Sequence, residues 1–536
     1  MLFNSISFLF FFLPISLVFF FVLGRIQKKL ATAWLGLISI VFYNWLGTQF
    51  LIILCGSILF NYILGYLIQK NVAKDRLALI LLIVGITINL SVLGYYKYFL
   101  DLTLWLKDLG LMPGPAIGSS VLPLGISFFT FTQIGYLIDS KASITKNYNF
   151  VDYVLFVTFF PHLIAGPILH HKEIMPQFAN DSTYRINVTN LTVGFSIFTL
   201  GLAKKVLIAD QFIPFVTQLF NNTHELTRTE AWCGVLSYYI QIYFDFSGYS
   251  EMALGLAKMF NIRFPANFDS PYKASNIIDF WQRWHMSLTR YLTLYLYNPI
   301  AISVTRYRIQ RKLSIATAKK DLSALFSIMV FPTLVTMLLA GIWHGSGIQF
   351  AIYGLLHGTY LSVNHIFKAY CPAKKAISSK LINWLDKCWK IILTNMAVIV
   401  ALIFFRANNP EDALNILKSM TFDAAHANAH SLNLGALETY LDLTNNFFHQ
   451  AMATLSSWHA GNAISILCAL WVIFTMPNVL QLFSDYEPAL AHSKAKPALL
   501  DFKWQPSIAW GLLMAITCLI SVLSVTGTTE FLYFRF

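Results

Sequence analysis

Apolar runs with few or no charges recur along almost the whole chain, near 6-24, 31-46, 48-69, 77-98, 122-138, 190-220, 231-260, 322-343, 347-367, 389-405, 460-482 and 506-525. A helix needs about 17 to 25 residues to cross about 30 Å of hydrocarbon, and a helix satisfies its backbone polar groups internally, as a bilayer requires. Some runs are too short or too broken to be simple spans. With 57% hydrophobic and only 12% charged residues in 536, and a mean hydropathy of +0.60, the chain is expected to be an all-α, polytopic membrane protein. The first run has no basic leader and no small-residue cleavage site, so it is expected to stay as a helix and not act as a signal peptide.

The formal net charge of +13 sits in short connections between apolar runs: Arg25 to Lys29, Lys70 to Arg76, Lys141 to Lys146, Arg306 to Lys320, Lys368 to Lys390 and Lys494 to Lys503. Basic residues so placed report orientation, which argues against a nucleic-acid partner and puts these six connections in the cytoplasm. The mildly acidic segment of about 406-459, with Glu411, Asp412, Asp423, Glu438 and Asp442, then reads as external. Both termini are expected outside, with an even number of crossings. The basic stretch from Thr305 to Lys312 reads as an anchor near anionic lipid headgroups more readily than as a phosphate contact.

The chain reads as one membrane domain, 1-536, in three blocks: plain helices over 1-97, a core over 122-367, and helices over 368-536 around the external loop. The core is dense in Pro, Gly, Trp, His and charge, as expected where helices break to line a cavity. Six cysteines without a C-x-x-C pair suggest neither a zinc site nor a disulfide framework. Segments for nucleotide hydrolysis (G-x-x-x-x-G-K-[ST]), a serine elbow (G-x-S-x-G) and a zinc protease (H-E-x-x-H) are missing from the sequence.

His344, in Gly341-Ile-Trp343-His344-Gly345, is the leading candidate, because an ionisable ring within membrane-like sequence is expensive unless it has a use. Its unperturbed pKa near 6.5 suits it to take a proton from an attacking hydroxyl. His357 follows 13 residues later with glycines between, a spacing for two helices meeting at a turn. In Asp279-Phe-Trp281-Gln-Arg283-Trp284-His285, helical spacing would put Trp281, Trp284 and His285 on one face. Asp245 and Glu251, in Tyr243-Phe-Asp-Phe-Ser-Gly-Tyr249-Ser-Glu251, need partners, for which Lys205, Arg263 and Arg283 are available. Phe159 to Pro167 is too broken for one helix and reads as a re-entrant loop or kink. His170, His171 and Glu173 follow, but adjacent histidines do not share a helix face and no fourth ligand is suitably spaced, so no metal is expected.

These motifs, in this order, resemble the membrane-bound O-acyltransferases, particularly the bacterial branch of alginate O-acetylation and D-alanyl transfer proteins. The resemblance runs over nearly the whole chain: Leu122-Pro-Leu-Gly-Ile-Ser-Phe128, Phe160-Pro-His-Leu-Ile-Ala-Gly-Pro167, Lys204-Lys-Val-Leu-Ile-Ala-Asp210, Tyr243 to Ser250, Phe280 to His285, Gly341 to Gly345, Phe404-Phe-Arg406-Ala, and the aromatic ending Glu530-Phe-Leu-Tyr-Phe-Arg535-Phe536. It implies a ring of about 11-13 transmembrane helices, some broken or re-entrant, around a central tunnel from a cytoplasmic donor entrance to an external acceptor funnel. It places the catalytic role on His344, with His285 at the second family histidine and His357 at a third position used in the alginate branch. A plain up-and-down path puts His344 near the external surface, so a mid-membrane site requires a broken or tilted helix there. After Tyr295-Leu-Tyr297 the chain departs from the short Gly-Asn connection of alginate-type members, which bears on the donor.

The resulting expectation is an O-acyltransferase, in the simplest case an O-acetyltransferase, of a bacterial inner membrane. It would take an acyl group from acetyl-CoA, another acyl-CoA or a carrier-protein thioester, with no bound cofactor, and pass it toward an extracytoplasmic polysaccharide or cell-wall glycan. Arg283, Trp343, Trp284 and Tyr249 would support the site, and Asp245 and Asp210 would hold its wall. The chain has no Gly-Asp-Ser nucleophile segment, so a periplasmic SGNH-type transferase would complete the transfer. A lipid or protein acceptor, a transporter without chemistry, and a scaffold for a soluble transferase are the competing readings.

Overall fold

A computed structural model describes residues 2–45, 47–112, 115, 117–118, 121–145, 149–224, 226–316, 321–371, 379–421, 458–490, 499–500, 502–525 and 532, and the statements below concern these residues. The chain is helical as expected, and among the described residues extended pairing is limited to one parallel bridge between Pro265 and Leu490. Most of the expected external loop, and all of the aromatic ending except Leu532, lie outside the described residues.

The first block is α1 (Leu13–Ile26), α2 (Lys28–Asn44), α3 (Thr48–Lys70) and α4 (Asp75–Gly94), the last running through a π-helical turn, Tyr95–Phe99, into α5 (Leu100–Asp108). The core begins with α6 (Ile126–Lys141). The segment expected to be broken, Phe159 to Pro167, holds only the short α8 (Phe160–Leu163), between α7 (Phe150–Thr158) and α9 (His171–Ala179). Phe8, Phe12 and Phe42 meet Phe160 with ring centroids 5.2 to 6.0 Å apart, which locks the first block onto the break in the core.

Next come α10 (Val188–Ala203), α11 (Ile213–Asn221) and α12 (Arg228–Met259). α12 is a 32-residue mast opened by a capping box in which Thr227 and Glu230 satisfy each other's backbone amides. Its polar residues Gln241, Asp245, Ser247 and Glu251 are buried, so it runs through the interior of the protein and not along the lipid. α10 lies against it at two facing glycine pairs. A Cβ on Gly255 would stand 2.5 Å from the Gly194 carbonyl oxygen, and one on Gly201 would stand 2.6 Å from that of Gly248.

The site-bearing elements are α13 (Ile277–Trp281), α14 (Met286–Leu292), α15 (Asn298–Gln310), α16 (Leu322–Leu325), α17 (Phe331–His344), α18 (Ile348–Tyr370), α19 (Lys380–Arg406) and α20 (Pro410–Thr421). Helices Trp458–Thr475, Val479–Leu482 and Ile508–Leu523 follow. Among the described residues, six helices are long and apolar enough to cross a membrane: Phe8–Ile26, Thr48–Lys70, Asp75–Asp108, Val188–Asn221, Leu322–His344 and Lys380–Arg406. Several other expected spans are helical but shorter, such as the 16-residue α6 and the 17-residue α2.

Candidate active site

The site is built on a hairpin. α17 and α18 cross in backbone contact, since a Cβ on Gly341 would stand 2.3 Å from the Phe350 carbonyl oxygen and 2.8 Å from the Gly354 Cα. His344 is the last residue of α17, and the chain reverses through Gly345, Ser346 and Gly347. The break that the glycines permit therefore falls after His344, while Leu322–His344 continues as one helix through a π-helical turn at Phe326–Val330. The same hairpin carries His357 on α18, so the two histidines of the 13-residue spacing come to one region.

His344 is buried, 7% exposed. Its ring packs edge-on against Phe405 of α19 at 4.9 Å and Tyr353 of α18 at 5.9 Å between centroids. His344 and Trp343 line a cavity together with Lys97, Pro123, Gly125 and Phe128. The Lys97 ammonium sits 5.3 Å from the centroid of the Trp343 ring, a cation–π contact. From sequence, Lys97 only marks the end of a packing block; in the structure that block contributes a charge to the cavity. Two further contacts fix the α4–α5 helix here: the Tyr98 hydroxyl donates to the Ile342 carbonyl at 3.0 Å, and the Ser346 hydroxyl meets Asp101.

His357 is 1% exposed. The Trp281 indole Nε1–H donates to its Nδ1 at 3.2 Å, which assigns that nitrogen as acceptor and leaves Nε2 to carry the proton of the neutral ring. Tyr353 stands between the two histidines, 4.7 Å from the His357 ring and 5.9 Å from that of His344.

His285 is 2% exposed and has a left-handed backbone, φ 43° and ψ 53°. A non-glycine residue held there costs about 1 to 3 kcal/mol, and the surroundings impose it. Segment 267–269 pairs with 283–286 through Asp269 N–H to the Arg283 carbonyl and Met286 N–H to the Asn267 carbonyl, both 3.0 Å. This overturns the expectation of one shared helix face: α13 ends at Trp281, and the chain turns before His285. Trp281 goes to His357, Trp284 stacks on Phe280 at 5.7 Å, and His285 meets Phe246 of α12 edge-on at 4.7 Å. His285, His357 and Lys97 all lie within electrostatic reach of His344.

The remaining expected residues form supports around this group. Arg283 binds Asp279 at 2.8 Å and the Asp269 carbonyl at 3.2 Å, which holds the turn that carries His285. Asp245 and Asp210 share Lys205, at 2.5 and 2.8 Å, in a buried triad, so the partner of Asp245 is Lys205 and not Arg263 or Arg283. The Leu532 amide also donates to Asp245 at 3.0 Å. Glu251 pairs with Lys204 at 2.5 Å. Tyr249 stacks on Phe3 at 4.8 Å, in the packing between α12 and the N-terminal segment.

A second cavity lies further along α6 and is lined by Phe131, Tyr291, Arg290, His170, His171 and Tyr295 among others. Between the two cavities Phe131 stacks on Tyr291 at 5.0 Å and meets Trp343 at 5.2 Å. Sequence reading missed Lys97, Phe131, Tyr353 and Tyr295. Aromatic side chains in apolar helices carry no signal that separates lining from packing.

His285, His344 and His357 are buried on a helical membrane scaffold, and comparison with known proteins gives the chain a family. Residues 122–315 match the family model described as MBOAT, membrane-bound O-acyltransferase family. The chain is 38% identical over 452 residues to the peptidoglycan O-acetyltransferase of Helicobacter pylori, covering 78% of this chain and 80% of that protein. It is 32% identical to the probable alginate O-acetylase AlgI of Pseudomonas aeruginosa over 561 aligned residues, the full length of both. A teichoic acid D-alanyltransferase of Bacillus subtilis is 26% identical over 260 residues, 48% of this chain and 62% of that protein. The chain belongs to the membrane-bound O-acyltransferase family. It is a multi-pass membrane protein and an acyltransferase.

Proposed function

We propose that this protein moves an acyl group, acetyl in the simplest case, from a thioester donor reached from the cytoplasm toward an extracytoplasmic glycan, handing it to an acceptor hydroxyl with His344 as the base. The observation that carries this reading is His344 itself: buried at the end of α17, on the wall of a cavity, with His285, His357 and Lys97 around it. A histidine ring nitrogen takes the proton of the acceptor hydroxyl as its oxygen attacks the thioester carbonyl. The C–S bond then breaks, and the imidazolium returns the proton to the leaving thiolate. Lys97 would stabilise the oxyanion that forms between these steps.

Relatives named for peptidoglycan, alginate and teichoic acid support a cell-envelope polymer as the acceptor. The same reading places the protein in a bacterial inner membrane with both termini outside. An SGNH-type periplasmic transferase would act as the partner that delivers the acyl group to the polymer. His285 and His357 orient the site, and Arg283, Trp284, Trp343, Asp245, Asp210 and Tyr249 support it.

The test is consumption of radiolabelled acetyl-CoA by the purified protein in lipid, for wild type, His344→Ala and His285→Ala, with external glycan and candidate partners added. Turnover by wild type that is lost in His344→Ala supports the assignment. Equal turnover in His344→Ala removes His344 from the chemistry. If folded wild type consumes no acetyl-CoA, another donor or a transporter without chemistry takes its place.

A further inference from the structure

We propose that Asp139, His170 and His171 form a binding site for a divalent transition-metal ion, zinc by the chemistry of the donors, beside the second cavity. The inference does not depend on the acyl-transfer reading. One ligand atom from each residue lies within 4.8 Å of the others. His171 Nε2 is 2.8 Å and His170 Nε2 is 3.2 Å from the same carboxylate oxygen, Asp139 Oδ2. All three side chains are buried, at 2%, 10% and 7% exposed.

Adjacent histidines converge here because only one of them is helical. His171 is the first residue of α9, while His170 precedes it with an extended backbone, φ −106° and ψ 129°. The geometric objection raised from sequence holds within a helix and lapses at its first residue. The third ligand comes from α6, 31 positions before His170, where no sequence spacing points to it.

Two imidazoles and one carboxylate are a donor set that suits zinc, with bonds of about 2.0 to 2.2 Å. Tetrahedral geometry at those lengths separates ligand atoms by about 3.3 Å, so the contacts of 2.8 and 3.2 Å to Asp139 Oδ2 would open by at most about half an ångström. The Tyr295 hydroxyl lies 2.5 Å from His170 Nε2 and 3.2 Å from Asp139 Oδ2, so it is at hand as a fourth oxygen ligand. The adjoining cavity also holds Arg290, fixed by Glu173 through paired bonds of 2.7 and 3.0 Å.

The test uses the full chain purified in detergent, stripped with a chelator, and titrated with zinc chloride and separately with cobalt(II). The expected result is one zinc bound per chain, and a cobalt complex whose visible absorption shows nitrogen ligation. Asp139→Asn and His170→Ala should each weaken binding by about a hundredfold or more, while His344→Ala binds as wild type. His170→Ala keeps the 2.8 Å pair between His171 and Asp139, so a chromatographic and melting profile like that of wild type separates a lost ligand from a lost fold. Sub-stoichiometric zinc on wild type at tens of micromolar, or unchanged affinity in both ligand variants, overturns the proposal.

Discussion

Gly341 of α17 and Gly354 of α18 touch backbone to backbone: a Cβ placed on Gly354 would lie 3.0 Å from the Gly341 Cα and 2.3 Å from the Met337 carbonyl oxygen. This one crossing sets the distance between the helices that carry His344 and His357, and a backbone clash cannot be relieved by turning a side chain.

Gly354→Ala is therefore expected to force the hairpin open. Overpacking of this kind costs about 1 to 3 kcal/mol, and the displacement falls on the histidines. The expected outcome is a lower melting temperature in detergent together with loss of most acyl transfer. Gly56→Ala, at a glycine with nothing within 4 Å of an added Cβ, is the control and should leave both unchanged.

The triad of Lys205 with Asp245 and Asp210 has side chains only 5%, 2% and 13% exposed. Lys205→Met removes the cation that both buried carboxylates share. Breaking a buried pair from one side costs about 3 to 5 kcal/mol. Lys205→Met is expected to yield little folded protein in fluorescence-detected size exclusion, and Asp210→Asn, which keeps the shorter bond to Asp245, should recover far more.

Lys97 is the residue of the N-terminal block that reaches the cavity of His344. Lys97→Met keeps an apolar stem over Trp343 and removes the charge. If the ammonium stabilises the oxyanion, turnover falls by about a hundredfold with little change in KM or melting temperature. A change in KM alone would make Lys97 a binding residue, and no change would reduce its part to the contact with Trp343.

Much of this protein is legible in its sequence, for physical reasons that operate locally. Apolar runs of bilayer length announce helices, because the backbone has no other way to satisfy itself in hydrocarbon. Prolines and glycines around Phe160 to Pro167 announce a break, and the structure divides that stretch between α8 and an irregular segment. His344 stands out because a polar ring in such surroundings needs a reason, and the glycines beside it foretell a close helix crossing.

What the tertiary structure alone decided is which side chains meet. Trp281, Trp284 and His285 are neighbours in sequence, yet they serve three different environments. Long-range pairing of segment 267–269 with 283–286 bends the backbone at His285 against its own preference. Asp245 had three cations within plausible reach, and only the fold selected Lys205. Lys97 came to Trp343 across nearly 250 residues of chain, and Asp139 came to His170 and His171 from another helix. Hydropathy and breakers act over a few residues and so can be read along the chain. Contacts between distant residues depend on how whole helices cross, and that is set by packing summed over the entire molecule.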